Sequence, residues 1–259
     1  MERFGFGKNW LNYSKKIDED AIMSAVENLE MNFSTNLRGK SFLDIGCGSG
    51  LFSLAAVRLG ATVTCFDFDN YSVETTNTVL KNNGVHPSVA KAYRADILDK
   101  TSMSKISKHD YVYSWGVLHH TGNMRLAFDN TMDLVKDGGE LFIAIYNDQG
   151  IRSKLWSLVK YLYCSSLPLS FLIIVIFAPY FYLRSWLRQI IKKSKIPRGM
   201  STYNDMVDWL GGYPFEVARP EAVIDYFGEK GFRLLKSNLV GQKLGCNEFI
   251  FAKDGLVTL

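Results

Sequence analysis

The chain of 259 residues is 47% hydrophobic, which suits one α/β domain carrying an additional segment. Its formal net charge of only +4 excludes a protein that binds polyanions over its whole surface. The four cysteines are far apart and show no C-x-x-C spacing, so we expect reduced thiols and neither a metal site nor a disulfide framework. Because Met1–Lys16 contains no apolar signal segment, the sequence predicts a cytoplasmic protein.

The first 17 residues include the aromatic stretch FGFGKNWLNY, which is too apolar for a free tail. We expect this segment to pack down, either closing over a bound ligand or serving as a strap buried on the core. An amphipathic helix follows from Ile17 to Phe33, and its one-sided apolar stripe predicts a core-facing element.

A strand, a glycine turn, a helix and a second strand are predicted between Ser41 and Asp69. The first apolar run meets three glycines at alternating positions, Gly46, Gly48 and Gly50. The second apolar run, Thr62–Phe66, ends on the carboxylate of Asp67.

This unit predicts a nucleoside-binding site. Glycines in the turn let the backbone approach a ligand closely, and the following helix N-terminus favours an anionic group. A carboxylate at the end of the next strand can accept hydrogen bonds from both ribose hydroxyls. The glycine spacing differs from the G-x-G-x-x-G of dinucleotide proteins, and it suits a ligand with an amino-acid carboxylate and no pyrophosphate.

Alternating elements continue the α/β pattern. The sequence predicts a helix at Tyr71–Asn83 and three further strands, Ser88–Tyr93, Tyr111–Trp115 and Leu141–Tyr146, the last of which follows a turn at Asp137–Gly139. Polar residues cluster just after the strands, where an open parallel sheet binds its ligands.

The pattern breaks at residues 151–200. Tyr161–Leu183 carries no charge and is long enough for a membrane-spanning helix, although Pro168 and Pro179 are expected to break it into shorter helices. A basic run follows: Arg184, Arg188, Lys192, Lys193, Lys195 and Arg198. A single span would separate the last two strands, predicted at 233–241 and 247–253, from the rest of their sheet.

Three alternatives remain for this insertion. In the first, residues 161–198 lie in the membrane interface on the inner face of the membrane, and their basic flank contacts anionic lipid. Otherwise the insertion is an apolar lid over the site, or helices that pack on the domain or on a partner.

Several motifs occur together in the order of a known family. LDIGCGSG resembles the first motif of class I S-adenosylmethionine-dependent methyltransferases, and FDFD, RADILD at 94–99, DYVYSWGVLHH at 110–120 and DGGELFIAIYND at 137–148 follow in family order. The resemblance is close over 38–148 and loose over 218–254. It implies a Rossmann-like sheet of seven strands in the order 3-2-1-4-5-7-6, with helices on both faces and the insertion after strand 5.

The resemblance also implies an organisation and a cofactor site. Residues 1–36 form the strap and helix, 37–150 the cofactor-binding core, 151–200 the insertion, and 201–259 complete the sheet. The expected ligands are S-adenosylmethionine and its product S-adenosylhomocysteine. The cofactor-binding residues are expected to be Asp44, Gly46, Cys47, Gly48, Gly50, Asp67, Phe68, Asp96, Ile97 and Trp115. Asp96 would bind the adenine amine and Ile97 its ring, the alternative for Asp96 being a helix N-cap.

Two adjacent histidines follow the fourth strand, where the reacting methyl group is expected. Histidine is a base near neutral pH, and an oxygen acceptor must lose a proton. Resemblance to plant-type O-methyltransferases implies His119 as this base, whereas resemblance to the polyprenyl-hydroxyphenyl (ubiquinone-type) group implies His120. Tyr146, Asn147 and Tyr213 are candidate acceptor contacts, and Trp209 is a further candidate wall of the pocket.

The stretches FGFGKNW, SWGVLHHTG, IAIYNDQG and GGYPFEV resemble a bacterial group related to the ubiquinone-type enzymes. The resemblance implies O-methylation of a small apolar acceptor, such as a prenylated or lipid-linked aromatic. Methylation of a surface sugar or glycolipid, methylation of RNA, and S-adenosylmethionine binding without turnover stay open. RNA is disfavoured because nucleic-acid binding usually needs a broader basic face. The acceptor atom and the oligomeric state are not predicted.

Overall fold

The computed structural model describes residues 4–14, 17–34, 36–192 and 202–255. Seven strands form one sheet in the order β3-β2-β1-β4-β5-β7-β6, which confirms the predicted strand order. The strands are Ser41–Ile45 (β1), Thr62–Asp67 (β2), Ala90–Arg94 (β3), His109–Trp115 (β4), Val135–Tyr146 (β5), Phe232–Asn238 (β6) and Cys246–Lys253 (β7).

Ten α-helices lie within these described residues. They are Gly7–Ser14 (α1), Glu19–Asn32 (α2), Leu51–Arg58 (α3), Asn70–Asn82 (α4), Lys100–Met103 (α5), Met124–Asp133 (α6), Ile151–Ser165 (α7), Leu167–Lys192 (α8), Thr202–Gly211 (α9) and Pro220–Gly228 (α10). A single 3-10 turn, Leu118–His120, follows β4.

The first five strands run parallel, and β7 pairs antiparallel with both β5 and β6. Apolar side chains on the two faces of the sheet form two separate buried clusters, one against α2 and α3 and the other against α6 and α10. The parallel strands therefore end at one common edge, and the loops that follow β1, β2, β3 and β4 meet there.

Strand β5 begins earlier than predicted. The sequence places a turn at Asp137–Gly139, but β5 runs from Val135, and the turn is absorbed as an irregularity in its pairing with β4. The register shifts between His109 and Tyr111, whose partners are Val135 and Glu140. Gly138 adopts a positive φ of 73° in this bulge, a conformation that other residues avoid.

Helix α8 corrects the prediction that two prolines divide the insertion. The chain breaks at Ser166, before Pro168, but α8 continues through Pro179. Phe177 and Phe181 flank this proline and pack in a third apolar cluster with α7 and α9, so tertiary contacts hold the helix on both sides. The basic residues Lys193, Lys195 and Arg198 of the predicted run lie outside the described residues.

Candidate functional site

A cavity of about 420 Å³ opens at the carboxyl edge of the parallel strands. Its walls come from the N-terminal segment, from the loops after β1 to β4, and from α7, α8 and α9. Sites at this edge are typical of open α/β sheets. The insertion therefore contributes directly to the cavity, as the lid alternative requires.

Gly46 begins the turn after β1 and lines the cavity. Its φ is +77°, and a Cβ there would lie 2.4 Å from a side-chain methyl of Val117 in the loop after β4. Both facts exclude a larger residue. Gly48 and Gly50 continue the turn, and Gly50 is the N-cap of α3. The turn is thus a backbone cradle at a helix N-terminus, which fits an anionic ligand group.

Asp67 closes β2 and lines the cavity beside this cradle. One carboxylate oxygen, Oδ2, accepts the backbone N–H of Gly48 at 3.0 Å, and Oδ1 accepts that of Asp69 at 2.9 Å. Burial raises the pKa of Asp67 to about 6. The carboxylate is therefore tied to the glycine turn, in the position predicted for binding ribose hydroxyls.

Two predicted cofactor residues lie behind the cradle. Asp44 is buried and accepts the Ser53 hydroxyl at 2.6 Å, and burial raises its pKa to about 7. Cys47 is buried under the turn, where its sulfur accepts the Thr76 hydroxyl at 3.3 Å. Neither side chain is among those that line the cavity. We therefore expect Asp44 to reach a ligand amine only through water.

The predicted adenine-binding residues reach the same cavity. Phe68, Asp96 and Ile97 all line it. Asp96 Oδ1 accepts the backbone N–H of Leu98 at 2.9 Å, and the helix N-cap predicted as its alternative role belongs to Asp99. Trp115, at the end of β4, also lines the cavity and donates its indole N–H to Glu248 at 2.8 Å.

The N-terminal segment lies across the cofactor end of the cavity. Phe4, Phe6 and Trp10 line it, and the Trp10 ring lies where a Cβ on Gly48 would be 3.1 Å away. The backbone N–H of Phe4 donates to the Tyr213 carbonyl at 3.0 Å, and Asn9 donates to Asp208 at 2.6 Å. This geometry fits closure over a ligand better than a remote structural strap.

The docking of this segment predicts a test at Gly7. A Cβ there would lie 2.3 Å from Asp69 Oδ1, so Gly7→Ala should displace the segment. We expect the Kd for S-adenosylmethionine to rise by about tenfold, roughly 1.4 kcal/mol, in isothermal calorimetry. Gly228→Ala is the matched control, because Gly228 also lies in a helix but has open space around its Cβ. A lower melting temperature with unchanged affinity would assign the segment a structural role only.

The two histidines lie on different sides of the 3-10 turn. His120 lines the cavity, whereas the His119 side chain is fully buried and is not among the lining residues. His119 Nδ1 lies 3.4 Å from the Tyr146 backbone N–H, and burial holds its pKa well below the usual range. In this conformation only His120 can contact a molecule in the cavity.

The tautomer of His120 follows from its hydrogen bond. Nδ1 lies 2.7 Å from the Pro214 carbonyl oxygen, and because a carbonyl only accepts, Nδ1 carries the proton. Nε2 is then the nitrogen with a lone pair. Burial, followed by the positive charge of Lys160, lowers the pKa of His120 to about 3, so the imidazole is neutral at physiological pH.

Residues 214–216 hold this turn in place. Besides the Pro214 contact, the Glu216 N–H donates to the His119 carbonyl at 2.9 Å. The Glu216 carboxylate accepts the backbone N–H groups of Gly122 and Met124, both at 3.1 Å. The connection from α9 to α10 thereby fixes the orientation of His120.

The far end of the cavity is walled by the end of β5, the insertion and α9. Its residues combine aromatic rings with charged groups: Tyr146, Trp156, Tyr180, Phe181, Arg184, Asp205, Asp208 and Trp209. Asp208 is mostly buried, and this burial raises its pKa to about 7. Aromatic rings beside a few polar groups are typical of the wall of a small-molecule site.

A buried lysine supports this wall from behind. Lys160 on α7 is fully buried, donates to the Trp209 carbonyl, and places Nζ 4.3 Å from the centre of the Trp209 ring. Burial lowers its pKa to about 7. The amine therefore ties α7 to α9, and in its protonated form its charge lowers the pKa of both histidines.

Two candidate acceptor residues lie elsewhere. The Asn147 side chain donates to the Gly241 carbonyl at 2.7 Å and accepts from Asn247 at 3.1 Å, so it anchors the loop before β7. Tyr213 packs on Tyr161 with ring centres 5.6 Å apart. Neither lines the cavity, whereas Tyr146 and Trp209 do.

Among the cavity residues that sequence patterns missed are Trp156, Tyr180, Phe181, Asp205 and Asp208. They lie in or just after the insertion, outside the motifs that carried the resemblance. The sequence pointed to these residues only through the alternative that residues 151–200 form a lid over the site. Over the part of the chain that the structure describes, no three His, Cys, Asp or Glu side chains come together as metal ligands.

Comparison with known proteins agrees with this geometry. A family model described as "Methyltransferase domain" matches residues 17–189. The chain belongs to this family, the S-adenosylmethionine-dependent methyltransferases.

Among curated relatives, the ubiquinone biosynthesis O-methyltransferase of Brucella ovis is 34% identical over 120 residues, which are 46% of each chain. That of Coxiella burnetii is 26% identical over 155 residues, 59% of this chain and 62% of the relative. The matches thus span about half of these relatives' length.

Solved structures share the fold. Magnesium protoporphyrin IX methyltransferase from Synechocystis, with bound S-adenosylhomocysteine, superposes with a TM-score of 0.54 at 15% identity, covering 91% of this chain and 83% of that one. The N-methyltransferase NodS from Bradyrhizobium japonicum, with the same ligand, gives 0.53 at 16% identity, covering 89% and 86%. The sheet therefore has the fold of class I methyltransferases.

Proposed function

We propose that this protein transfers a methyl group from S-adenosylmethionine to a hydroxyl oxygen of a small apolar acceptor, such as a prenylated or lipid-linked aromatic. The observation that carries the proposal is a single cavity with the glycine cradle and Asp67 at one end and an aromatic wall at the other. His120 lies on the same cavity with an unprotonated Nε2. The names of the Brucella and Coxiella relatives support an oxygen acceptor.

The cradle fits the proposed cofactor because a side chain at Gly46 would collide with Val117 and occupy ligand space. Gly46 and Asp67 would hold its amino-acid and ribose parts, and Asp96 and Ile97 its adenine. When bound, S-adenosylmethionine supplies an electrophilic methyl group. The remaining work of the protein is to position the acceptor and to exclude water. The N-terminal segment and α8, which both line the cavity, would do this.

His120 supplies the proton acceptor. Its Nε2 takes the hydroxyl proton as the new carbon–oxygen bond forms, and the Pro214 carbonyl keeps the imidazole in the required tautomer. A pKa of about 3 makes the ring a weak base, but an oxygen that is being alkylated becomes strongly acidic. Proton transfer is then favourable late in the reaction.

A sugar or glycolipid acceptor is the second candidate. Asp205 and Asp208 both line the acceptor end, and carboxylates commonly accept hydrogen bonds from sugar hydroxyls. The aromatic wall serves either acceptor, because sugar rings also pack on aromatic faces. The two candidates predict different positions for the transferred methyl group, which is found on the aromatic part in the first and on a sugar in the second.

The test is transfer of a labelled methyl group. Purified protein is incubated with methyl-labelled S-adenosylmethionine and a lipid extract, and the organic phase is analysed by mass spectrometry. We expect label on a lipid-soluble aromatic that is heavier by one methylene. Label released with the sugar headgroup after hydrolysis would favour the second candidate. Tight cofactor binding without transfer to any acceptor would contradict both and leave a non-catalytic binding protein.

A further inference from the structure

Helix α8 has two sides with different surroundings. Phe177 and Phe181 face inward, where they pack on α7 and α9 or line the cavity. The outer side is apolar and open to solvent. Its exposed residues include Phe171, Leu172, Val175, Ile176, Leu183 and Trp186, each at least 53% exposed.

This outer side belongs to a helix as apolar as one that crosses a membrane. Among the described residues, one helix is long and apolar enough to cross a membrane, Leu167–Leu187, with a mean hydropathy of 1.8 and 6% of it buried. Helix α7 extends the surface through Leu155 and Leu158, which are 58% and 53% exposed. Contiguous apolar surface of this kind marks an interaction site.

The distribution of charge along the sequence favours one kind of partner for this surface. Residues 149–204 contain nine basic and no acidic side chains, a net charge of +9. The other residues contain 21 basic and 26 acidic side chains, a net charge of −5. Arg152, Lys154 and Arg184 of the basic set are exposed. Helices α7 and α8 contain no acidic residue, so their apolar surface with its basic side chains is complementary to a bilayer containing anionic lipid.

The geometry favours lying in the interface over spanning. Strands β6 and β7 follow the insertion yet complete the sheet begun by β1, so both ends of the insertion are on one side. The inner face of α8 is held by the third apolar cluster, with Ile173 8% exposed. Insertion across a bilayer would strip these contacts from α7 and α9.

The mouth of the cavity adjoins the same surface. Tyr180 lines the cavity and is 50% exposed, and Arg184, one turn further along α8, both lines the cavity and is exposed. If this surface lies in a membrane, a molecule dissolved in the adjacent lipid leaflet reaches the cavity beside Tyr180 without crossing water.

We propose that the outer face of α7 and α8 docks on an anionic lipid bilayer, so that a membrane-dissolved acceptor enters the cavity beside Tyr180 and Arg184. The acceptor part of this inference rests on the proposed function. The docking part does not, since vesicle binding requires no methyl transfer.

The experiment is vesicle flotation of the full chain. Vesicles of phosphatidylcholine with about one third phosphatidylglycerol are compared with pure phosphatidylcholine. We expect strong binding to the anionic vesicles, reduced several-fold by high salt and by removal of phosphatidylglycerol. Equal binding to both vesicle types would overturn the anionic requirement, and no binding to either would overturn the proposal.

A triple variant locates the surface. Leu172→Gln/Ile176→Gln/Leu183→Gln changes residues that are 53%, 60% and 56% exposed and do not line the cavity. The matched control Met23→Gln/Met31→Gln/Leu239→Gln changes residues 48%, 67% and 47% exposed elsewhere on the protein. We expect at least a tenfold loss of vesicle binding in the first variant and none in the control, with S-adenosylmethionine affinity kept in both.

Two results would contradict the assignment. Undiminished binding by the first variant would place the contact elsewhere. If the unchanged protein does not bind vesicles, and light scattering shows that it forms a dimer which the triple variant does not form, the face is covered by a second copy of the chain. Circular dichroism and cofactor affinity show that each variant is folded, so that a loss of binding is not a loss of structure.

Discussion

His120→Ala is expected to lower kcat at least a hundredfold and to leave the Kd for S-adenosylmethionine unchanged within about twofold. A positioned general base contributes roughly 10²- to 10⁴-fold to a rate. Cofactor affinity is expected to stay unchanged because the cradle at Gly46 and the carboxylate of Asp67 hold the cofactor independently of the His120 imidazole. Steady-state kinetics on the acceptor found by methyl labelling gives kcat, and calorimetry gives the affinity.

His119→Ala is the comparison that separates the two histidines. The His119 ring is buried against Tyr146, with ring centres 4.1 Å apart, so its loss leaves a cavity and lowers the melting temperature. We expect its kcat to fall much less than that of His120→Ala. A larger loss of kcat in His119→Ala, or equal small losses in both, would refute the assignment of His120.

The pH profile distinguishes His120 from Asp208 as the base. A pKa lowered to about 3 keeps His120 unprotonated at every pH above that value, so kcat at saturating ligands should be flat from about pH 5 to 8. A pKa raised to about 7 keeps Asp208 protonated below neutrality, and a base there would make kcat rise with pH up to about 7. A rising profile would therefore transfer the role to Asp208. Lys160 is the neighbouring charged group that, after burial, lowers the pKa of His120.

Asp67→Ala is expected to raise the Kd for S-adenosylmethionine at least a hundredfold. The carboxylate offers two charge-assisted hydrogen bonds to ribose hydroxyls, each contributing roughly 1.5–3 kcal/mol. The change also removes the acceptors of the Gly48 and Asp69 N–H groups, which loosens the cradle. Calorimetry with S-adenosylhomocysteine measures the loss without turnover.

Asp99→Ala is the matched control for this change. Asp99 also follows a strand of the sheet and accepts a backbone N–H, that of Thr101 at 3.0 Å, but it lies outside the cavity. We expect a slightly lower melting temperature from the missing helix cap and no change in cofactor affinity. Similar affinity losses in both variants would show that Asp67 acts through stability alone.

Cofactor affinity should also depend on pH. Because burial raises the pKa of Asp67 to about 6, the carboxyl group is protonated below that pH and loses acceptor capacity for the ribose. Affinity should be constant above about pH 7 and fall by up to tenfold per pH unit below about 6. The nearby carboxylate of Asp69 also raises the pKa of Asp67, in addition to the larger effect of burial. An affinity unchanged at pH 5 would contradict the role of Asp67.

The sheet and the cofactor end were predictable because their constraints are local in the sequence. The turn at Gly46 needs a positive φ and no side chain, and Asp67 must end the next strand, so both leave a pattern within about 25 residues. The strand order follows from the family resemblance and was confirmed. The predicted and observed boundaries of the strands differ mainly at β5, where a bulge replaces the predicted turn.

The acceptor end was not predictable, because it depends on contacts between distant segments. Which of two adjacent histidines faces the cavity is decided by the Pro214 carbonyl, 94 residues further along. Asn147 was chosen for its place after β5, but its amide is used by Gly241 and Asn247. Pro179 signals a break in isolation, whereas packing of Phe177 and Phe181 keeps α8 continuous.

The N-terminal segment has a kinetic consequence. It touches Asp69 at the cofactor end through the Gly7 N–H at 3.4 Å, and it reaches Asp208 and Tyr213 at the acceptor end. One short piece of chain therefore completes both half-sites when it closes. We expect a compulsory order of loading, with the nucleoside entering first and leaving last, because the exit of the spent nucleoside requires this segment to lift.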